Sequence, residues 1–213
     1  KYQLHQVLST RVVADSTFRQ SLPKPQTAVL FGGIDYDKPP TSEPAADTLR
    51  RDWERQTQIA WVTRSITDSL QYLRGSEVEV DACGSTLEEQ YKVSTRVIKG
   101  SLASEEAFKA LDGKPIDILH VATHGFSFDD PAAVKHDIFN IYQKADDPLI
   151  RSGLVMAGAN KAWLDKAGKG YEGRDDGILT ALEISTMHLS KVQLAVLSAC
   201  DSGLGDIKGS EGV

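Results

Sequence analysis

The chain reads as an α/β protein built on a mostly parallel sheet, and three observations lead there. Apolar runs of strand length recur at Thr27-Ala-Val-Leu-Phe31, Ile116-Asp-Ile-Leu-His-Val-Ala-Thr-His124 and Val192-Gln-Leu-Ala-Val-Leu-Ser-Ala-Cys200. Such near-continuous apolar runs are the mark of strands buried on both faces, as in parallel sheets. Stretches of helical spacing lie between them, the βαβ pattern of a layered α/β fold.

Taken in order, Tyr2 to Val13 reads as an opening strand, with Tyr2, Leu4, Val7 and Val12-Val13 as its apolar members. Pro23 and Pro25 break the chain before the strand Thr27–Phe31, which Gly32-Gly33 is expected to end. Lys38-Pro-Pro-Thr-Ser-Glu-Pro is a polar, proline-rich loop. Ala45 to Arg74 is helix-compatible, anchored by Trp53, Ile59, Trp61 and Leu70, although its apolar period is poor. In Ser76 to Gln90, strand-like alternation of Val78, Val80 and Ala82 competes with helical spacing of Val80, Cys83 and Leu87. The order of neighbouring elements favours the helix. Tyr91 to Ile98 alternates as a strand.

Ser104-Glu-Glu is a helix start: the hydroxyl accepts from free backbone N–H groups and two carboxylates face the positive end of the dipole. Ala107, Phe108 and Leu111 form the inner face of that helix, and Gly113 stops it. From Gly125 to Asp176 the chain reads as a long, irregular, polar connection holding one apolar piece, Gly153–Ala157. A connection of that length is usually functional or disordered. Asp176 to Ile184 reads as a helix with Ile178, Leu179, Leu182 and Ile184 inward.

Composition narrows the functional classes. The 213 residues suit one domain with a sizeable core. The 24 basic and 30 acidic side chains leave a net charge of −6, with no basic footprint for nucleic acid. The apolar runs fall far short of the roughly 20 residues of a membrane span, and no secretory signal pattern opens the chain. The two cysteines, Cys83 and Cys200, are too few for a disulfide framework and stand in no Cys-x-x-Cys pair. A reducing, cytoplasmic setting is therefore expected.

The chemistry-bearing residues are His124 and Cys200. Each ends an apolar strand, and ligands of open α/β sheets bind outside the carboxyl ends of strands. The segment between the two strands is long enough for a right-handed crossover, so the strands can be neighbours. A thiol of ordinary pKa is only slightly ionised at neutral pH; an imidazole takes its proton and later protonates the leaving amine. The N–H groups of Gly125 and Cys200 are the candidate oxyanion site. Taken singly, a cysteine ending a strand is more often a small buried hydrophobe, and a histidine before glycine more often a turn residue. Their joint placement at one edge favours the catalytic reading.

Two rivals fare worse. His120 and His124 are four apart, but on a strand that separates them by about 13 Å, too far for one metal ion. His120 is better read as a core histidine, and Asp129, Asp130 and His136 as a solvated stretch. No metal and no cofactor is expected. Gly203, Gly205, Gly209 and Gly212 follow the last strand, yet they lack the dinucleotide spacing, and Lys208-Gly-Ser has the wrong order for a Walker loop.

The segments DILHVATHGF, DGILTALEIS and LAVLSACDSGLGDIKGSEGV, with DPLIRSGLVMAGANKAW and AVLFGGIDYD, resemble the CHAT peptidases. These are caspase-like domains commonly joined to tetratricopeptide repeats in bacteria. The resemblance spans nearly the whole chain and implies a caspase-like three-layer α/β/α sandwich. It also implies a His124–Cys200 dyad with Gly125 at the oxyanion site, and cleavage of a protein or peptide substrate. Residues 1–213 would be the large-subunit portion of one CHAT peptidase domain, with the sheet incomplete on its C-terminal side and mobile loops near residues 35–50 and 127–148. The partners so implied are a C-terminal small-subunit part and a tetratricopeptide-repeat regulatory region. Relatives that cut after Arg or Lys carry Asp two residues before the cysteine. That position is Ser198 here, so basic specificity does not carry over. Ser198 and Asp201 remain candidates for the substrate pocket, while Asp206 and Glu211 read as solvent-facing charges. A catalytically silent, caspase-like interaction scaffold is the alternative.

Overall fold

The computed structural model describes residues 23–38, 69–131, 141–165 and 175–199. Its centre is a parallel sheet of four strands: β1 (Thr27–Ile34), β2 (Ser94–Gly100), β3 (Ile118–Ala122) and β7 (Leu194–Ser198), in the order β2-β1-β3-β7. Helix α1 (Arg74–Glu89) crosses from β1 to β2 and covers one face. Helix α2 (Glu105–Lys109) follows β2. The long β3-to-β7 crossover carries a second, antiparallel sheet, β4-β5-β6, formed by β4 (Gly125–Ser127), β5 (Ser152–Val155) and β6 (Ile178–Thr180). It also carries two short helices, α3 (Asn160–Trp163) and α4 (Ala181–Ser185). A mostly parallel α/β architecture of the caspase-like sandwich type is thus what the chain adopts.

The alternation of β1 divides the core. Ala28 and Leu30 pack with Val80, Val93, Ile118 and Ala122 on the α1 side. Val29 and Phe31 point the other way, into a larger cluster with Phe108, Leu111, Leu119, Val121 and Met156. Both faces are buried, which is why β1 and β3 read as continuous apolar runs.

Several elements differ from the sequence reading. β1 does not end at Gly32-Gly33 but runs to Ile34 with a register shift. A Cβ on Gly32 would lie 2.6 Å from the Ser76 carbonyl oxygen and 2.7 Å from Val80 Cγ1, so the glycine exists to admit α1, not to stop the strand. Gly33 takes φ +55° and donates to Ser76 Oγ at 3.0 Å. The helix expected up to Arg74 is absent at residues 69–73, which are non-helical and lead into α1. Its remainder, with Trp53, Ile59 and Trp61, lies outside the described residues, as do the strand Tyr2–Val13, most of the proline-rich loop and His136. Gln90 and Tyr91 form a turn, so β2 starts at Ser94.

The helix at Ser76–Gln90 is present as α1, and Ser104 caps α2 by accepting from the Ala107 N–H at 3.2 Å. The supposedly irregular connection after Gly125 is the larger correction, since it contains β4, β5 and α3. Asp176–Ile184 is likewise not one helix: Ile178–Thr180 is β6, paired with β5, and only Ala181–Ser185 is helical. Thr180 draws the boundary with a capping box, its hydroxyl accepting from Glu183 N–H while the Glu183 carboxylate accepts from Thr180 N–H. The apolar pair Ile178-Leu179 is buried as expected, but by pairing rather than helical packing.

Candidate active site

β3 and β7 are hydrogen-bonded neighbours, with Ala122 opposite Ser198. The Thr123 N–H donates to the Ser198 carbonyl at 3.1 Å, extending the ladder one step past β3. His124 stands two residues beyond Ala122. Cys200, two residues beyond Ser198 in sequence, lies outside the described residues, as does Asp201.

His124 is held from three sides. Its Nε2 lies 2.8 Å from the carbonyl oxygen of Gln71. A carbonyl can only accept, so Nε2 carries the proton and Nδ1 is left as the basic nitrogen. The imidazole packs on the Tyr36 ring, 5.0 Å between centroids at 47°. Its own carbonyl accepts from the Val155 N–H at 2.9 Å, which anchors the backbone where Gly125 opens β4.

The residues behind these contacts are polar and buried. Tyr36 Oη and Thr123 Oγ1 are 3.0 Å apart, and Thr123 Oγ1 donates to the Val155 carbonyl at 2.5 Å. The Thr123 proton is thereby committed, and Tyr36 supplies the other. Asn160, at the start of α3, fixes the Gln71 segment. Its Oδ1 accepts from the Leu70 N–H at 2.7 Å, and its Nδ2 donates to the Leu70 carbonyl at 3.0 Å and to Asp37 Oδ1 at 2.6 Å. One buried amide thus ties the loop after β1 to the segment that meets His124.

No sequence signal marked Gln71 or Asn160. Gln71 acts through its main chain, which any residue could supply, and Asn160 is distant in sequence from everything it holds. Leu70 was legible as an anchor and is 7% exposed. His120 is a core histidine as expected, 8% exposed, and its partner is Glu79 of α1, with Nε2 2.9 Å from Oε1. Ser198 Oγ donates to the other oxygen of Glu79 at 3.0 Å. Asp129 and Asp130 are exposed just past β4.

A second polar cluster lies at α2, β6 and α4. Carboxylate oxygens of Glu105, Asp175 and Glu183 come within 4.8 Å of one another, a spacing that would suit a cation. The cation there is Lys109, whose Nζ sits 2.6, 2.6 and 2.8 Å from the three.

A parallel α/β sheet with an oriented imidazole at its carboxyl edge puts the candidate site where ligands of open α/β sheets bind. The match to family models is specific: the CHAT domain model covers residues 2–213. The chain belongs to the CHAT-domain family, a caspase-like family related to cysteine peptidases. No curated protein and no solved structure matches it. Among the described residues no helix is long and apolar enough to cross a membrane.

Proposed function

We propose that the protein is a caspase-like cysteine endopeptidase that cleaves a protein substrate through His124 and Cys200. The observation that carries this reading is the orientation of His124 at the edge shared by β3 and β7. An imidazole locked as the Nε2–H tautomer by the Gln71 carbonyl presents a basic Nδ1. The register of the two strands brings the chain to that edge just before Cys200.

In this mechanism Nδ1 takes the thiol proton and the thiolate attacks the scissile carbonyl. The N–H groups of Gly125 and Cys200 stabilise the oxyanion, and the imidazolium returns its proton to the leaving amine. Water, deprotonated by the same nitrogen, then hydrolyses the thioester. The Gln71 carbonyl stabilises the imidazolium in each cycle, a role usually given to a carboxylate. The peptidase domain acts together with a small-subunit part and is governed by a repeat-containing sensor region in the cytoplasm.

The test is cleavage of candidate protein substrates by the intact protein, its Cys200→Ala and its His124→Ala variants. Both variants should lose at least 1,000-fold of the activity, the scale seen on removing a nucleophile or its base. Undiminished cleavage by Cys200→Ala would refute the proposal. A thiol-reactive peptide probe that fails to label Cys200 would favour the silent scaffold.

A further inference from the structure

The first half of α1 carries three carboxylates whose fates differ. Glu77 and Asp81, four apart and so on one face of the helix, share Lys99, at 3.3 and 2.8 Å. Glu79 points the opposite way, towards the sheet. There its two oxygens accept from donors that bring no permanent charge: His120 Nε2 at 2.9 Å and Ser198 Oγ at 3.0 Å. Among the described residues no lysine or arginine pairs with it. The side chain remains 35% exposed, and Ser198 is exposed as well. An oriented carboxylate is therefore left, among the described residues, without a lysine or arginine partner.

Its position is what gives it meaning. Ser198 is level with Ala122, two residues before His124, or about 7 Å of extended chain. A peptide whose scissile bond lies at the His124 level can send the side chain next to that bond down along β7. A short side chain would stop above Glu79, an acidic one would meet a like charge, and a long cationic one would end on the carboxylate. His120 and Ser198 fix both oxygens, so the rotamer is set before substrate arrives, which limits the ordering cost of binding.

We propose that Glu79 determines substrate choice, forming the anionic floor of the subsite for a Lys or Arg immediately before the scissile bond. Ser198 acts as its positioning residue. This inference rests on the peptidase reading above and adds a substrate class to it.

The experiment compares peptide probes and fluorogenic peptides that differ only at that residue (Arg, Lys, Gln, Leu or Asp), on the intact protein and on Glu79→Gln. The amide keeps the size and most hydrogen bonds of the carboxylate. The wild type should turn over the Arg and Lys peptides at least tenfold faster, in kcat/KM, than the Gln and Leu peptides. Glu79→Gln should lose that advantage while its rates on Gln and Leu stay within about twofold, a selective loss that a merely structural defect would not produce. Should Glu79→Gln fail to fold, Ser198→Lys brings an ammonium to the same carboxylate and must likewise erase the basic preference. Equal rates on Arg and Leu in the wild type, or a uniform slowing of all peptides by Glu79→Gln, would overturn the inference. If Cys200 is labelled and peptides are cut without basic preference, only this inference fails. If Cys200 is not labelled and nothing is cut, the peptidase reading fails with it.

Discussion

Replacing Lys109 by Met tests the cluster that joins α2, β6 and α4, because the methionine keeps most of the apolar stem and removes the charge. Glu105, the innermost of its three carboxylates, is 2% exposed. Burial, reinforced by the charge of Glu183, lifts the Glu105 carboxyl to about 8 against the opposing hydrogen bonds from Lys109 and the Gly177 N–H. A raised carboxyl favours folding while it is protonated and loses that contribution as pH climbs from its unfolded value, 4.5, through about 8. Lys109 shifts upward too. Burial works against its ammonium, but hydrogen bonds to Asp175, Glu105 and Glu183 outweigh it, so the cation persists across this window.

At about pH 5 Glu105 is neutral, and Lys109→Met removes only the partly exposed pairs with Asp175 and Glu183, a loss of about 1 kcal/mol. At about pH 9 the wild-type Glu105 has ionised against Lys109, whereas in the variant the buried carboxyl keeps its proton; with the wild-type carboxyl at about 8 this adds about 1 kcal/mol, for a cost of about 2 kcal/mol. Urea unfolding of wild type and variant at both pH values measures the difference, which should be about 1 kcal/mol at unchanged m. Adding Glu105→Gln to the variant should remove the pH dependence of the cost. An equal cost at both pH values, or one below about 1 kcal/mol at pH 9, would refute the reasoning.

Three further outcomes follow from single contacts. Gly153→Ala would set a Cβ 2.3 Å from the Leu179 carbonyl and 2.9 Å from Thr180 Cα, both main-chain atoms of β6. The forced separation of β5 and β6 should cost about 3 kcal/mol and lower the thermal midpoint. Tyr36→Phe should cost about 1 kcal/mol, by leaving Thr123 Oγ1 without its 3.0 Å partner in the core; chemical denaturation reads this directly. Asp117 accepts from the Gln26 and Thr27 N–H groups at 2.8 and 3.0 Å and from Gln193 Nε2 at 2.8 Å. These donors, the Gln26 N–H first, hold its carboxyl below the usual range against slight desolvation. Its stabilisation is therefore present above about pH 4 and lost as pH falls. Asp117→Asn should be about 1 kcal/mol less stable at neutral pH and show a flatter acid-unfolding curve.

The sequence alone determined the parallel sheet, because strands buried on both faces must be apolar at consecutive positions, as Thr27–Phe31 and Ile118–Ala122 are. It determined the α2 cap, because the Ser104 hydroxyl accepts from the Ala107 N–H only three residues on. It singled out His124, by the abrupt end of an apolar run at His-Gly. What failed in the sequence reading was the β3-to-β7 crossover, where strands of three and four residues are too short to display a period. Ile178-Leu179 and Leu182 fit both a helical and a strand period, and only pairing with β5 makes Ile178–Thr180 a strand.

Only the tertiary structure decided how the site is held. The atom that orients His124 is a main-chain oxygen of Gln71, and backbone carbonyls leave no trace in residue identity. The amide that places it, Asn160, lies 90 residues from Leu70. In the sequence nothing sets Glu79 apart from its acidic neighbours. Its difference from Glu77 and Asp81 emerges only where α1 lies across β3 and β7, because charge neutralisation depends on which partners the fold brings within reach.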